Sequence, residues 1–355
     1  MTFTVLAIVS ITQLLFAALL AAFLFAHRAR VERRLSEESR GLAAVAVPLR
    51  AWLVGEGGVH DVRDALDALP PDAARATALR IGRDQLTREA SGELAHAVRD
   101  RAWVRDGFAH ATSPWWWRRL EAARLLADLG TLDVEPLVRR LLRDKHPAVR
   151  IAATSCLSRI PTSAVVNVVL DELPRQPLAV RAMQIGMLRE QWQLTREALL
   201  PRLEPNAPID ALPYWVNAAE ALETADVLAK LVPLQAHASA QVRIAVARAL
   251  KKYFHPDATR VLATLLHDVD WRVRAQAARS LGVLRDTTAV PALVSGLTDV
   301  AWWVRFRSAL ALSQLGEQGR AALRAATGSN DKFAANMASM VRGLSDGSVV
   351  ELVEG

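Results

Sequence analysis

Two sets of residues in this 355-residue chain have types and spacing that could do chemistry. The first is an arginine that follows valine in Val149-Arg150, Val180-Arg181, Val242-Arg243, Val273-Arg274 and Val304-Arg305; guanidinium groups in a row bind phosphates or carboxylates. The second is tryptophan: of ten, Trp116, Trp271 and Trp302 stand two places before such a position, and Trp115, Trp117 and Trp303 adjoin them. Exposed tryptophans dock protein partners or rest at a membrane interface. Other chemistry lacks its residues. Cys156 is the single cysteine, which excludes an intramolecular disulfide and a multi-thiolate metal site within one chain. It reads as a small buried helix residue. The sequence holds no phosphate-binding Gly-Lys loop, nucleophile elbow or paired-carboxylate constellation.

The arginine belongs to a repeat. With the residue before it as position zero, steps of 31 place anchors at Arg118, Val149, Val180, Ala211, Val242, Val273 and Val304, without insertions. One place on stands arginine in all but one repeat, the exception being Leu212. Eight places on stands leucine at 126, 157, 188, 250, 281 and 312, with Ala219 the exception, and twenty places on Val or Leu recurs. Columns that agree over so many repeats mark a stacked repeat architecture. Positions zero, +4, +8 and +11, as in Val273, Ala277, Leu281 and Leu284, share one face of a helix. A second apolar run follows, so each repeat is a helix pair that cannot bury its stripe alone.

In the first turn of a helix a cation opposes the macrodipole unless something compensates it. Asp144, Asp268 and Asp299 each precede an arginine (Arg150, Arg274 and Arg305) by six residues and are placed to be its partner, giving a structural ladder along the turns. Two readings of the tryptophan column compete, packing between neighbouring turns and an exposed aromatic ridge; the column holds Pro147, Leu178, Ile209 and Ala240 in other repeats, so packing does not require a large residue in every one. Trp116, Trp271, Trp302 and Trp303 are therefore candidate partner-binding residues, whereas Trp192 and Trp215 fall within helices and read as core.

A helix pair of this length with Asp, then Val-Arg, then Ala-Ala and Leu, as in DVDWRVRAQAARSLG and DKHPAVRIAATSCLS, resembles HEAT repeats in the short form of bacterial HEAT-like proteins. The resemblance covers residues 114–335, and the repeat at Ala211 departs from it most. It implies an all-α protein, an α-solenoid of about seven to eight helix pairs, whose faces bind proteins and which shares no catalytic residue. Enzymes of similar build need residues that this chain lacks or that cannot be placed in it. The metal-dependent hydroxylase type holds iron through His-Glu pairs, and none of the eight histidines here precedes Glu. Bilin lyases offer no portable motif to place. HEAT-like DNA glycosylases need a basic groove. The expectation is a non-enzyme with no cofactor and no metal.

The net charge of +7 is spread thinly, with 14 basic and 13 acidic side chains over residues 27–113, which makes nucleic acid an unfavoured partner. Residues 3–26 carry no charge and would form a helix of about 36 Å. His27, Arg28, Arg30, Arg33 and Arg34 follow, and the positive-inside rule puts what comes after them in the cytoplasm.

The sequence thus predicts a transmembrane helix over 1–27, a juxtamembrane helical linker and degenerate N-terminal repeat or cap over 28–113, the repeats over 114–335, and a C-terminal cap and mobile tail over 336–355. In 28–113, Thr87-Arg88 falls one further period upstream, with Leu94 and Val98 on the stripe. The functional expectation is a single-pass inner-membrane scaffold, N-terminus outside, whose cytoplasmic solenoid binds protein partners at the membrane. The competing reading is a membrane-tethered nucleic-acid-binding or repair solenoid.

Overall fold

The structure is a computed structural model that describes residues 39–344 together with positions 20, 21, 25, 28 and 351. Regular structure among the described residues is entirely helical, and the chain divides by packing into two compact units, residues 1–160 and 161–355. The first unit holds α1 (residues 39–53), α2 (Val59–Asp67), α3 (Pro71–Asp84), α4 (Arg88–Val98), α5 (Ala102–Ala109), α6 (Trp116–Leu129), α7 (Glu135–Leu142) and α8 (Pro147–Thr154). The second holds α9 (Ser163–Glu172), α10 (Leu178–Glu190), α11 (Trp192–Leu199), α12 (Leu212–Ala219), α13 (Ala225–Leu231) and α14 (Ala240–Leu250). It continues through α15 (Pro256–Leu265), α16 (Trp271–Leu284), α17 (Val290–Gly296), α18 (Trp302–Gln314), α19 (Gly316–Ala326) and α20 (Lys332–Arg342).

The expected membrane-spanning helix, and with it the single-pass inner-membrane localisation, is corrected here. Among the described residues no helix is long and apolar enough to cross a membrane. Helices with both ends described reach at most 14 residues, about 21 Å, whereas a hydrocarbon core is about 30 Å thick. Residues 3–26 themselves lie outside the described residues apart from positions 20, 21 and 25.

The stripe positions form the core. Val273, Ala277, Leu281 and Leu284 of α16 are all buried, and so is the leucine column at 126, 157, 188, 250, 281 and 312. Each such leucine removed from water contributes roughly 1.5–3 kcal/mol, and it does so only because the neighbouring helix covers it. In the second unit α12, α14, α16, α18 and α20 pack in succession, with α15 and α17 beneath α16 and α18. Gly282 lets α16 and α18 approach closely: a Cβ there would lie 3.0 Å from the Ala311 Cα. Upstream, Thr87 caps α4 by accepting from the Ala90 N–H, and Leu94 and Val98 are buried.

The arginine column solves the helix-dipole problem in a way that its spacing alone does not reveal. Arg119, Arg150, Arg181, Arg243, Arg274 and Arg305 each donate Nη1 to a backbone carbonyl five or six residues back, as Arg150 does to Asp144 O at 2.8 Å. The aspartate carboxylates take a different arginine from the expected one. Asp144 accepts from Arg119, Asp268 from Arg243 and Asp299 from Arg274, in each case the arginine 25 residues earlier rather than six later. Each bridge is a two-bond fork, with Nη2 to Oδ1 distances of 2.9, 2.8 and 2.8 Å. The physical reason is local. Oδ1 also accepts from the backbone N–H two residues on, at His146, Asp270 and Ala301. That turn points the carboxylate at the preceding repeat and leaves the aspartate's own carbonyl to the arginine that follows.

Burial alone would raise these three carboxyls, but the arginine fork and the backbone N–H more than offset it, and all three lie below the ordinary aspartate range. A depressed folded-state pKa stabilises the fold above the unfolded value of about 4, and that contribution is lost as pH falls through the folded value. Asp268→Asn should cost about 1.5–3 kcal/mol at pH 7. It should also flatten the loss of stability below about pH 4, as read from urea midpoints across an acid series. Arg305, the last arginine of the column, has no such bridge: its Nε is buried without a hydrogen-bond acceptor and its equivalent of the bridging aspartate is Asn330. Asn330→Asp should extend the ladder and raise the urea midpoint, by about 1 kcal/mol in stability.

Candidate functional site

Trp116, Trp271 and Trp302 are each the first residue of a helix, α6, α16 and α18. Asp270 caps α16, accepting from the Arg272 N–H at 2.9 Å and from the Arg272 guanidinium at 2.6 Å. These bonds hold its carboxyl down to about 2. Trp271 follows as the first helical residue and is 45% exposed. Trp302 opens α18, stacked on Phe306 at 4.9 Å, with Trp303 edge-on to it at 4.8 Å; both are nearly half exposed. Two residues before each leading tryptophan stand Val269 and Val300, both almost fully exposed.

One further step of 31 past Trp302 lands on Phe333 in α20, a residue that the Val-Arg motif does not single out. It is 67% exposed, with the Arg305 guanidinium 4.9 Å from its ring centre. The period itself was the signal that could have found it. Trp271, Trp302 and Phe333 thus begin or lie at the start of α16, α18 and α20, three helices packed in succession, and make an apolar edge of the second unit. The planar guanidinium over Phe333 suits an aromatic face.

Trp116 is placed differently. In the first unit it opens α6 and stacks on His146, the residue that caps α8, at 4.0 Å and nearly parallel. Trp115 and Trp117 stack on each other at 4.8 Å and are half exposed. Part of this cluster therefore packs neighbouring repeats together. Trp215 is buried, its indole N–H donating to Leu170 O at 2.9 Å. Trp192 is not core: as the first residue of α11 it is 48% exposed.

The remaining chemistry-bearing groups serve the fold. Cys156 is fully buried with its Sγ 3.5 Å from Ala123 O. Burial, and then the charge of Asp128, push its thiol far above the ordinary range, so it is not a nucleophile at neutral pH. Among the described residues no group of three or more His, Cys, Asp and Glu is arranged to hold a metal ion.

Comparison with known proteins places the fold. No curated protein matches the sequence. Among solved structures the chain is similar to human deoxyhypusine hydroxylase in complex with glycerol, at 19% identity over 72% of this chain and 96% of that one, with a TM-score of 0.31. It is similar to importin beta at 14% identity over 88% of this chain and 52% of that one, with a TM-score of 0.48. It is also similar to Kap121p bound to Pho4p at 14% identity over 80% and 43%, with a TM-score of 0.37. Likenesses of this strength carry no statement about activity or partners. The family model for HEAT repeats, by contrast, matches residues 108–188, 197–282, 228–313 and 260–340, more than half of the sequence. Those matches cover the same column of arginines and leucines that the helix pairs bury and bridge, and the chain belongs to the HEAT repeat family.

Proposed function

We propose that the chain is a scaffold rather than an enzyme, binding protein partners through its HEAT repeats, and that the edge formed by Trp271, Trp302, Trp303 and Phe333 is a contact surface for an apolar helix or loop of a partner. The observation that carries this reading is the exposure of large aromatics in one column of three successive helices: Trp271 at 45%, Trp302 at 44% and Phe333 at 67%. A half-exposed indole leaves apolar area in water that a partner would remove, and tryptophan is among the residues most enriched where interfaces concentrate their energy. The fold does not need bulk at this column, since α14 begins with Ala240 in the same place. Val269 and Val300, 93% and 92% exposed, widen the apolar area between the rings.

Trp116, Trp271, Trp302 and Trp303 separate into two classes by experiment. Trp271→Ala and Trp302→Ala should each weaken binding of a co-purifying, crosslinkable partner by about 2 kcal/mol, roughly thirtyfold, while leaving the melting temperature within a few degrees of the parent. Trp116→Ala should lower thermal stability instead, because it removes the stack on His146, worth about 0.5–1.5 kcal/mol. Loss of thermal stability in the Trp271 and Trp302 variants with the partner still bound would assign that edge to packing and overturn the reading.

A further inference from the structure

The first helices of the repeats pack in succession from α12 to α20, but α10 stands off from α12. The sequence explains the gap. The repeat that opens at Ala211 is the one without the column arginine and leucine, holding Leu212 and Ala219 instead, and a turn containing Pro205 and Pro208 leads into it. On α10, a Cβ added to Gly186 would meet nothing within 4 Å.

The result is a cleft of about 490 Å³ within the second unit. Leu173, Leu178, Ala182, Ile185 and Ala221 give it an apolar lining, and Leu178 is 75% exposed. The same cleft is lined by Arg181, Arg189, Arg248 and Lys252. Arg181 is occupied, lying over the Tyr214 ring at 4.7 Å and donating to Gln176 O. No described ion pair holds Arg189, Arg248 or Lys252, whereas Glu220, also in the lining, is neutralised by Lys251 at 3.0 Å. Asn217 lines this cleft and the hollow that adjoins it, and its side-chain carbonyl is buried without a donor.

We infer that this cleft binds an acidic peptide segment of a partner protein. An aliphatic side chain enters between Leu178, Ile185 and Ala221, flanking carboxylates meet Arg189, Arg248 and Lys252, and a backbone N–H of the peptide donates to the Asn217 carbonyl. Three features favour peptide over nucleic acid. The lining is aliphatic rather than a stacking platform, its one aromatic ring is already covered by Arg181, and an aliphatic side chain, which a nucleic acid lacks, is what fits between Leu178, Ile185 and Ala221. This inference rests on the reading of the chain as a protein-binding solenoid, but it uses none of the tryptophans.

A random dodecapeptide library selected on the full chain tests it. The selected peptides should be acidic with one or two aliphatic residues, and their affinity should fall steeply with salt. Arg248→Glu combined with Lys252→Glu should weaken them at least about tenfold. Gly186→Phe, which fills open space on an existing helix and leaves its fold intact, should do the same with unchanged circular dichroism and melting temperature. Trp271→Ala combined with Trp302→Ala should leave the selected peptides bound, which separates failure at this cleft from failure of the tryptophan edge. Absence of enrichment, enrichment of peptides that are not acidic, or indifference to the cleft variants would overturn the inference. So would an oligothymidine strand that binds more tightly than the selected peptides and is lost in the Arg248 and Lys252 variants.

Discussion

The interaction on which the repeats depend is the fork between a first-turn arginine and the aspartate of the following repeat. Arg243 and Asp268, or Arg274 and Asp299, are both largely shielded from water, with two hydrogen bonds between them. A charge at such depth destabilises unless it is paired and its remaining donors are used. Both conditions are met, because the third arginine nitrogen donates to a carbonyl of the turn behind it and the carboxylate also accepts a backbone N–H. Each bridge thus ties three pieces of chain: one helix start, the turn before it, and the turn after the next helix. Planar, five-donor arginine can do this, and lysine cannot.

The repeats share one surface feature that does not depend on the ladder. A side chain two places ahead of the anchor is partly exposed whatever its chemistry: Leu178 and Ile209 are at least as open as Trp271 and Trp302, although the repeat of Ile209 has no column arginine. The column varies between repeats of this chain, from tryptophan to Ala240, while the leucine column behind it stays buried.

Where the ladder lapses, the packing changes with it. Arg181 has Asn206 where Arg243 has Asp268, and it turns its guanidinium onto Tyr214. The Ala211 repeat has no column arginine at all, and beside it α10 and α12 part to leave the cleft. At the other end Arg305, facing Asn330, covers Phe333. In both places an arginine without a carboxylate lies against an aromatic ring, the alternative that its flat cation allows.

The sequence by itself determined the helix pairs, their period of 31 and the identity of the core, because a stripe of apolar residues at helical spacing has one way to be buried and repeats only if the neighbours bury it too. It also marked the tryptophan column as dispensable to packing, through Ala240. It could not say which arginine each aspartate meets. Six residues separate Asp268 from Arg274 and 25 separate it from Arg243, and linear distance favours the wrong one; only the turn at Asp270, which aims the carboxylate backward, decides the pair. Phe333 lay in plain view of the period but not of the motif, since Ala335-Asn336 stands where the other repeats have the anchor and the arginine. Nor does the sequence distinguish Trp116, stacked on a neighbouring turn, from Trp271: both start a helix two places before an anchor and are similarly exposed, and the difference is whether the next repeat presents a ring, His146, to stack on it. Contacts between repeats are set by the stacking of helices, and that is a property of the tertiary structure alone.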